Sequence, residues 1–395
     1  MRIFLTTLFG LETLTRKDLE AAGYTKDQIT VEDGRVILKV NDDNWEDDVA
    51  RVNMWAGKAE RVLFEVGEFK ATNYDTYYEE TGKLFWEDYI PSNYQIIVTG
   101  YSRKSTLYGT TAMQSLAKKA IVDRLNEVIG NPKGTPLNED KNKGTIKITF
   151  AMVNDTCSMQ IDTTGDGLHK RGYRPLTHEA PIRETLASAM VELARYTPFD
   201  KEFLKDPFCG SGTIVIEAAR SALNIAPGID RQFSYTTLPY IGKKPYQKAK
   251  EEAEDLIKQA PTEEIFFEGS DIDKKAVSDA KENAKRARVN TITHFEQKDA
   301  LRGNPPDRRT LIITNPPYGG RLLTPKEAAT IYKNISRIYL TKDGKCKQNV
   351  RLSVITPDDD FERATRLKAD KRYKLYNGNK VCHLFNYYKT DKSQW

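Results

Sequence analysis

The sequence predicts an α/β protein in which a mostly parallel, doubly wound sheet ends in a C-terminal antiparallel hairpin and follows an α+β module. Three observations support this prediction. From about residue 183 onward, short apolar runs alternate with helical patterns, and a glycine-rich turn follows the first run. An Asn-Gly pair at residues 377–378 separates the last two strand patterns, which indicates a hairpin. Over the first 165 residues, strands and helices follow one another without regular alternation.

Length and composition are those of a globular protein with two or three domains. The chain has 395 residues, of which 39% are hydrophobic and 30% are charged. No run of 18 uncharged apolar residues occurs and the start turns polar by Glu12, so we expect neither a membrane span nor a signal peptide. The 4 cysteines and 4 histidines lie far apart without C-x-x-C spacing, which predicts a reducing, cytoplasmic location and no metal site.

Changes in the pattern suggest three parts. Residues 1–60 are predicted to form a first subdomain of strand, helix and strand, closed by a further helix. Residues 61–165 form a second α+β unit with a long helix at residues 111–129. A linker is predicted near residues 163–167, and residues 166–395 form the domain with the parallel sheet.

A glycine loop is the first candidate binding site. An apolar run leads into Asp206-Pro207-Phe208-Cys209-Gly210-Ser211-Gly212-Thr213, and a helical pattern follows. Gly210 and Gly212 permit positive φ and a close approach of a ligand. The loop lacks the third glycine of the dinucleotide fingerprint and the Lys-Ser or Lys-Thr pair of a P-loop. An acid four residues before the first glycine suits a ligand that carries an ammonium group.

Two further acids follow the next strand patterns. Asp271 is placed to accept hydrogen bonds from two ribose hydroxyls, the role of an acid at the end of the second strand in nucleoside-binding folds. Ile272 could cover one face of an adenine, and Asp299, which precedes Ala300, could accept from its amino group. Each acid taken alone is more often a helix cap, as predicted for Asp273.

The tetrapeptide Asn315-Pro316-Pro317-Tyr318 follows a short apolar run and therefore stands at a strand's carboxyl end, where ligands bind in open α/β sheets. Asn315 Oδ1 and the Pro316 carbonyl could each accept one N–H of a base amine, which favours a pyramidal nitrogen that can attack a methyl sulfonium. Proline sets the carbonyl direction because its φ is fixed. Tyr318 would stack on the base, a contact worth about 1–3 kcal/mol. The alternative is a plain turn.

Charge alone does not establish a nucleic-acid partner, because 61 basic and 56 acidic residues give a net charge of only +5. Local basic clusters could supply phosphate contacts. Each cluster by itself is more typical of a solvated surface, and only together do they favour RNA. The predicted contacts are Arg103, Lys104, Lys170, Arg171 and Arg174.

These motifs resemble those of the class I S-adenosylmethionine-dependent methyltransferases with an Asn-Pro-Pro-Tyr motif. Within that class the chain is similar, over nearly its whole length, to the large-subunit ribosomal RNA guanine-N2 methyltransferases that carry an amino-terminal THUMP domain. The segments that carry this similarity are Leu168-His169-Lys170-Arg171-Gly172-Tyr173-Arg174, Ala180-Pro181 with Glu184-Thr185-Leu186-Ala187, Ile225-Ala226-Pro227-Gly228 and Asn315-Pro316-Pro317-Tyr318-Gly319-Gly320-Arg321-Leu322.

The resemblance implies a ferredoxin-like subdomain at residues 1–60, a THUMP RNA-binding domain at 61–165 and a Rossmann-like methyltransferase domain at 166–395. It implies methyl transfer to the N2 amine of a guanine in RNA, above all 23S ribosomal RNA, and thus a part in ribosomal RNA processing. The guanine would be rotated out of its helix. S-adenosylmethionine would be held by Asp206, Phe208, Gly210, Gly212, Thr213, Asp271, Ile272, Asp299 and Ala300.

Other functions remain open at this point. The same tetrapeptide serves in amino methylation of DNA and in methylation of a protein glutamine, and a transfer RNA guanine is a further substrate. A ribosome assembly factor that binds RNA without turnover is a function of another class. Covalent catalysis by Cys209 is disfavoured, because this cysteine lies inside the glycine loop and no Pro-Cys pair stands at the substrate strand.

The spacing between the glycine loop and the ribose acid is unusual. Asp206 and Asp271 are 65 positions apart, whereas a compact unit needs roughly 20. The excess lies at residues 224–264 and includes a predicted charged helix at residues 248–258. We expect this insertion to contact RNA or to pack against the amino-terminal module, and the alternative is a surface embellishment without either role.

Overall fold

The computed structural model describes residues 1–91, 93–175, 182–199, 202–260, 266–318, 323–357, 359–378 and 380–390. Ala180-Pro181, Gly319–Leu322 and Asn379, which the sequence motifs include, lie outside these ranges. Within the described ranges, no helix is long and apolar enough to cross a membrane.

Two seven-stranded sheets organise the chain. The first half contains β1 (Arg2–Thr7), α1 (Glu12–Ala21), β2 (Ile29–Glu32), β3 (Arg35–Lys39), α2 (Trp45–Trp55), β4 (Ala59–Lys70), α3 (Tyr74–Lys83), β5 (Gln95–Arg103), α4 (Thr110–Val128), β6 (Thr145–Val153) and β7 (Thr156–Asp162). The second half contains α5 (Glu184–Leu193), β8 (Phe203–Asp206), α6 (Thr213–Ala222), α7 (Lys244–Asp255), β9 (Phe267–Asp271), α8 (Lys274–Arg286), β10 (Thr293–Gln297), β11 (Thr310–Thr314), α9 (Pro325–Tyr339), β12 (Val350–Pro357), α10 (Asp360–Thr365), β13 (Lys371–Asn377) and β14 (Lys380–Tyr387).

The amino-terminal half forms one continuous mixed sheet in the order β2-β3-β1-β4-β7-β6-β5. The long strand β4 pairs with β1 near its start and with β7 beyond it, so the two predicted amino-terminal units share a strand at the predicted boundary. The sheet curls until its edges approach each other. Arg35 Nη1 lies 3.3 Å from the Tyr101 hydroxyl, and Arg103 Nη2 lies 3.3 Å from Asp33 Oδ2.

The carboxyl-terminal half confirms the predicted α/β fold. Its strand order is β10-β9-β8-β11-β12-β14-β13, and the first five strands of that order are parallel. β14 runs antiparallel between β12 and β13, which confirms the hairpin. All five residues of β11 are buried, as expected for a central parallel strand covered on both faces.

Local sequence signals explain where the helices of this half begin. The Asp273 side chain accepts a hydrogen bond from Lys275 N at 2.8 Å, which confirms its predicted role as the N-cap of α8. Thr324 and Glu327 form a capping box at the start of α9. Helix α7 begins at Lys244, earlier than predicted, with Pro245 in its first turn, a position that proline tolerates.

The insertion after α6 packs against the amino-terminal half. Gly228 N donates to the Met54 carbonyl at 2.9 Å, and a Cβ at Gly228 would lie 2.8 Å from Met54 Cα. Helix α7 adds ion pairs to α2, from Arg51 to Glu252 and from Lys248 to Asp47. Of the two roles expected for the insertion, packing is therefore observed over its described part; residues 261–264 lie outside the described ranges.

The segment predicted as a linker is part of this interface. Thr163 and Thr164 are fully buried. Thr163 Oγ1 donates to the Val62 carbonyl at 2.7 Å and accepts from Asn53 Nδ2 at 2.9 Å. These residues are therefore not a solvated connection, because their hydroxyls satisfy buried backbone and amide groups. That the two parts of the chain are joined here stays a prediction.

Arg171 is also buried at the interface, with 1% of its side chain exposed. Its guanidinium donates to the carbonyls of Leu168 and Gly57 and lies 3.5 Å from Glu217. A phosphate cannot reach a side chain in this position, which corrects the prediction that Arg171 contacts RNA. Its role is to hold the amino-terminal half against the carboxyl-terminal half of the chain through groups that would otherwise be unpaired.

Replacement of Arg171 by methionine should lower the free energy of unfolding by about 3–5 kcal/mol, because Glu217 and two carbonyls lose a buried partner. The neighbouring Lys170 is exposed and pairs only with Asp166 among the described residues. Its replacement by methionine should change stability by less than about 1 kcal/mol. Chemical denaturation of both variants measures the contrast, and equal losses would contradict the structural role of Arg171.

Candidate active site

The carboxyl ends of four parallel strands meet at one edge of the second sheet. Thr314 Oγ1 at the end of β11 donates to Asp206 Oδ1 at the end of β8, at 2.6 Å. Gly210 N, in the loop after β8, donates to Asp271 Oδ2 at the end of β9, at 2.9 Å. Lys298 N, after β10, donates to the Asp271 carbonyl at 2.9 Å. The structure therefore brings the predicted glycine loop, the acids and the substrate strand together.

Asp206 is the buried acid of this edge, with 2% of the residue exposed. Besides Thr314, its Oδ1 accepts from Phe208 N at 3.0 Å. Burial raises the pKa of Asp206 to about 7, and the charge of Asp271 adds to the rise, while the two hydrogen bonds oppose it. A carboxyl group with this pKa can change charge near neutrality and gains most from a cationic partner, as predicted for a ligand with an ammonium group.

The two glycines of the loop serve different purposes. Gly210 has a φ of +51°, and a Cβ there would meet no atom within 4 Å, so its side faces open space where a ligand can approach. Gly212, at φ +83°, caps α6. A Cβ at Gly212 would lie 3.0 Å from the Phe295 ring and 3.1 Å from Ala280 Cβ, so close packing also requires glycine there.

Two hydrogen bonds fix the Asp271 carboxylate at this edge of the sheet. Its Oδ1 accepts from Asp273 N at 3.0 Å, while Oδ2 accepts from Gly210 N. The next residue, Ile272, has 68% of its surface exposed, which is unusual for isoleucine. Such an exposed apolar side chain is suited to contact a flat apolar ligand. The geometry is thus compatible with the prediction that Asp271 binds the ribose and that Ile272 contacts the adenine.

The side chain of Asp299 has partners of its own among the described residues. Its Oδ1 accepts from Leu301 N at 2.9 Å and caps a short 3₁₀ helix that begins at Ala300, and Arg302 lies 3.2 Å from Oδ2. The capping role that the sequence offered as an alternative is therefore present. A contact of Asp299 or Ala300 with adenine stays a prediction.

The four residues of the tetrapeptide after β11 differ in their exposure to solvent. Pro316 is buried, Asn315 and Tyr318 are half-buried, and Pro317 is exposed. Within the described ranges the Asn315 amide makes no hydrogen bond, so its oxygen is available to a substrate amine. The Tyr318 hydroxyl accepts from Asn377 Nδ2 at 3.1 Å, and Lys380 Nζ lies 5.3 Å from the ring centroid.

The predicted RNA contacts divide into two groups. Lys104 is exposed, and Arg103 and Lys170 are more than two-fifths exposed and paired with Asp33 and Asp166. Like Arg171, Arg174 is withdrawn from solvent, with 7% of its side chain exposed. It donates to Glu184 at 2.7 Å and to Thr213 Oγ1 at 3.0 Å. Arg174 is thus a buried support of the glycine loop, which corrects its prediction as a phosphate contact.

Cys209 does not have the properties of a nucleophile. The thiol is buried, and burial raises the pKa of Cys209 well above its ordinary value, with the charges of Asp206 and Asp271 acting in the same direction. A thiol in this environment stays protonated at neutral pH. The geometry therefore agrees with the sequence argument against covalent catalysis.

Two contacts of this site were not anticipated from the sequence. Thr314 links Asp206 to the substrate strand, and Asn377 reaches Tyr318 from the C-terminal hairpin. Both depend on which strands are neighbours in the sheet. The only available signal was positional, since Thr314 immediately precedes the tetrapeptide and Asn377 precedes the glycine of the hairpin turn.

Comparisons with known proteins show the family of the chain. A family model described as "RMKL-like, methyltransferase domain" matches residues 171–386. The chain belongs to the RMKL-like methyltransferase family. A second model, described as "RlmL ferredoxin-like domain", matches residues 2–63. These matches confirm the resemblance and the fold that the motifs predicted.

Relatives of known name cover the chain almost completely. One from Bacillus subtilis (strain 168), named "Putative RNA methyltransferase YpsC", is 35% identical over 99% of this chain and 97% of its own length. Ribosomal RNA large subunit methyltransferase K/L from Psychromonas ingrahamii is 33% identical over 85% of this chain and 44% of its own length. The family member described here therefore spans about half the length of the K/L relatives.

Solved structures extend the match to three dimensions. The crystal structure of SMU.472, described as "a putative methyltransferase complexed with SAH", is 32% identical, with a TM-score of 0.83 over 99% of this chain and 98% of that one. A protein from Listeria monocytogenes str. 4b F2365 is 35% identical with a TM-score of 0.85, over 98% and 96% of the two chains. It is described as a predicted N6-adenine-specific DNA methylase. The family and these structures confirm the prediction that the chain is an S-adenosylmethionine-dependent methyltransferase.

The raised pKa of Asp206 predicts two pH effects. Because the folded state holds this proton up to about pH 7, the unliganded protein should lose stability as pH rises from about 4 to 7. Asp206→Asn should therefore raise the Tm by about 2–4 °C at pH 8 and by less at pH 5. Differential scanning calorimetry at both pH values measures this contrast, and a gain that is larger at pH 5 would contradict it.

Cofactor affinity should change with pH in the direction opposite to stability. The affinity of the wild-type protein for S-adenosylhomocysteine should rise by about tenfold between pH 6 and pH 8, as the Asp206 carboxylate forms and pairs with the ligand's ammonium group. The affinity of Asp206→Asn should be weak and nearly independent of pH. Isothermal titration calorimetry checks both, and a flat profile for the wild type would contradict the role of Asp206.

Proposed function

We propose that the chain transfers a methyl group from S-adenosylmethionine to the exocyclic N2 amine of a guanine in RNA, with 23S ribosomal RNA as the preferred substrate. The observation that carries this proposal is the hydrogen bond from Thr314 to Asp206. It sets the Asn315–Pro316 acceptor pair directly beside the acid and glycine loop that suit the cofactor. An amine held by one site would lie next to the methyl donor held by the other.

The residues around the cofactor fit its three parts. Asp206, Phe208, Gly210, Gly212 and Thr213 would hold the methionine part, Asp271 the ribose, and Ile272, Asp299 and Ala300 the adenine. The open space beside Gly210 and the exposed apolar side chain of Ile272 support this fit. When bound, S-adenosylmethionine supplies an electrophilic methyl group.

The chain's own contribution would be to position the amine. The Asn315 amide oxygen and the Pro316 carbonyl accept the two N–H groups, which directs the nitrogen lone pair away from the ring plane. Because both acceptors are neutral, they add no buried charge beside the cofactor. Tyr318 would stack on the base and hold its plane. The nitrogen becomes cationic on methylation and then acidic, so positioning contributes more than a strong base.

The amino-terminal half supports an RNA substrate. We propose that residues 61–165 form a THUMP domain next to the ferredoxin-like subdomain of residues 1–60. Exposed basic groups at Arg103, Lys104 and Lys170 would contact phosphates. The relatives named as RNA and ribosomal RNA methyltransferases support RNA over the DNA described for the Listeria protein.

The remaining alternatives predict different products. A transfer RNA guanine-N2 methyltransferase would use the same site on another RNA. A ribosome assembly factor would bind the cofactor and RNA without transfer, and the complete set of acceptor and acid residues at the site counts against it. Incubation with 23S ribosomal RNA, total transfer RNA or duplex DNA and labelled S-adenosylmethionine separates these activities.

Asn315→Ala tests the mechanism. It removes one amine acceptor, and we expect methyl transfer to 23S ribosomal RNA to fall by about 10²–10³-fold, the usual cost of losing one preorganised polar contact to the reacting group. The dissociation constant for S-adenosylhomocysteine should stay within about twofold. The exposed Asn290→Ala serves as a matched control with wild-type turnover. Undiminished turnover of Asn315→Ala would refute the proposed role of Asn315 as an acceptor for the amine.

A further inference from the structure

The C-terminal hairpin touches the base-stacking residue. Asn377, the last residue of β13, donates from Nδ2 to the Tyr318 hydroxyl at 3.1 Å. Lys380, the first residue of β14, places its ammonium group 5.3 Å from the centroid of the same ring. A cation at this distance over an aromatic ring is attracted by the ring's negative face. The two ends of the hairpin turn therefore fix both the edge and one face of Tyr318.

The same hairpin also touches the amino-terminal half. Tyr376 packs edge-on against Phe9, with ring centroids 6.0 Å apart. A Cβ at Gly10 would lie 2.9 Å from the Lys374 carbonyl, so the turn after β1 approaches the hairpin backbone as closely as glycine permits. Phe9 remains 52% exposed, which shows that this contact is a local one and not part of the main core.

These contacts form a continuous path between the two halves of the chain. It runs from the Phe9–Gly10 turn to Tyr376, through one peptide bond to Asn377, and by a hydrogen bond to Tyr318. The hairpin backbone is fixed along this path by antiparallel pairing, with Tyr376 opposite Val381 and Asn377 opposite Lys380. A shift of the amino-terminal turn would thus be transmitted to the ring through a paired strand.

We propose that the β13–β14 hairpin is a positioning element for the target base: Asn377 orients Tyr318, and the Phe9–Gly10 turn of the amino-terminal half holds the hairpin in place. The proposal rests on the proposed function, because it assigns base stacking to Tyr318. Lys380 lies over one face of the ring. The module that binds RNA and the ring that receives the guanine are thereby set at a fixed distance.

A double-mutant cycle tests the Asn377 contact. Tyr318→Phe removes the hydroxyl and keeps the ring, while Asn377→Ala removes the donor. With 23S ribosomal RNA from cells that lack the protein as substrate, we expect each variant to lower kcat about fivefold, the effect of losing one hydrogen bond. The double variant should be no slower than either single variant, because both remove the same contact.

Two further measurements separate positioning from loss of structure. The dissociation constant for S-adenosylhomocysteine and the KM for RNA should stay within about twofold, since the cofactor site and the phosphate contacts are elsewhere. Asn334→Ala is the matched control, because Asn334 bonds to the Thr330 carbonyl of its own helix. Multiplicative losses in the cycle, or an Asn377→Ala enzyme as fast as wild type, would overturn the role of Asn377.

The interdomain part of the path has its own variant. Phe9→Ala should lower kcat about two- to fivefold in the wild-type background and have no further effect in the Asn377→Ala background. Val31→Ala, another exposed apolar residue of the same subdomain, should match the wild type. Additive losses would overturn the coupling. A wild-type protein that methylates no RNA would overturn the proposed function as well, whereas active wild type with unaffected variants would overturn this inference alone.

Discussion

The buried carboxyl group of Asp206 is the constraint on which the rest of the site depends. It lies between β8 and β11, where it accepts hydrogen bonds from Phe208 N and Thr314 Oγ1. Burial raises its pKa to about 7 because the charged carboxylate is unfavourable in this environment, and a cationic ligand would stabilise that charge. One side chain thereby connects the shape of the glycine loop to the position of the Asn-Pro-Pro-Tyr tetrapeptide.

The two halves of the chain are joined by polar groups buried at their interface. Arg171 bonds to carbonyls on both sides, and Thr163 satisfies groups of the first sheet. Gly228 allows backbone contact between the insertion and α2. Such an interface fixes the amino-terminal module relative to β11. A large RNA bound by one half would then present its target base to the other at a defined place.

Much of this arrangement could be predicted from the sequence because its signals are local. Periodicity located the strand before Asn315, the hairpin around residues 377–378 and the helix capped by Asp273, and these were confirmed. The order of glycine loop and acids was enough to place the site at one edge of the sheet. Contacts that depend on strand neighbours, such as Thr314 with Asp206, have no local signal and could not be predicted.

Burial of charged residues was the main failure of the sequence argument. Arg171 and Arg174 stand in a basic, polar segment beside Lys170, and composition does not distinguish an exposed arginine from one that bonds to buried carbonyls. Only the folded chain shows that Arg171 faces Glu217 and that Arg174 faces Glu184. The burial of Thr163 could not be predicted for the same reason, because small polar residues are typical both of linkers and of buried polar networks.

In the proposed reaction, a neutral amide and a prolyl carbonyl hold the amine of a guanine beside the methyl donor. Nucleoside mass spectrometry of ribosomal and transfer RNA from cells without the protein tests it most directly, with complementation by the wild type or by Asn315→Ala. We expect one N2-methylguanosine of 23S ribosomal RNA to disappear and to return only with the wild-type chain. Undiminished N2-methylguanosine at every ribosomal and transfer RNA position would contradict it.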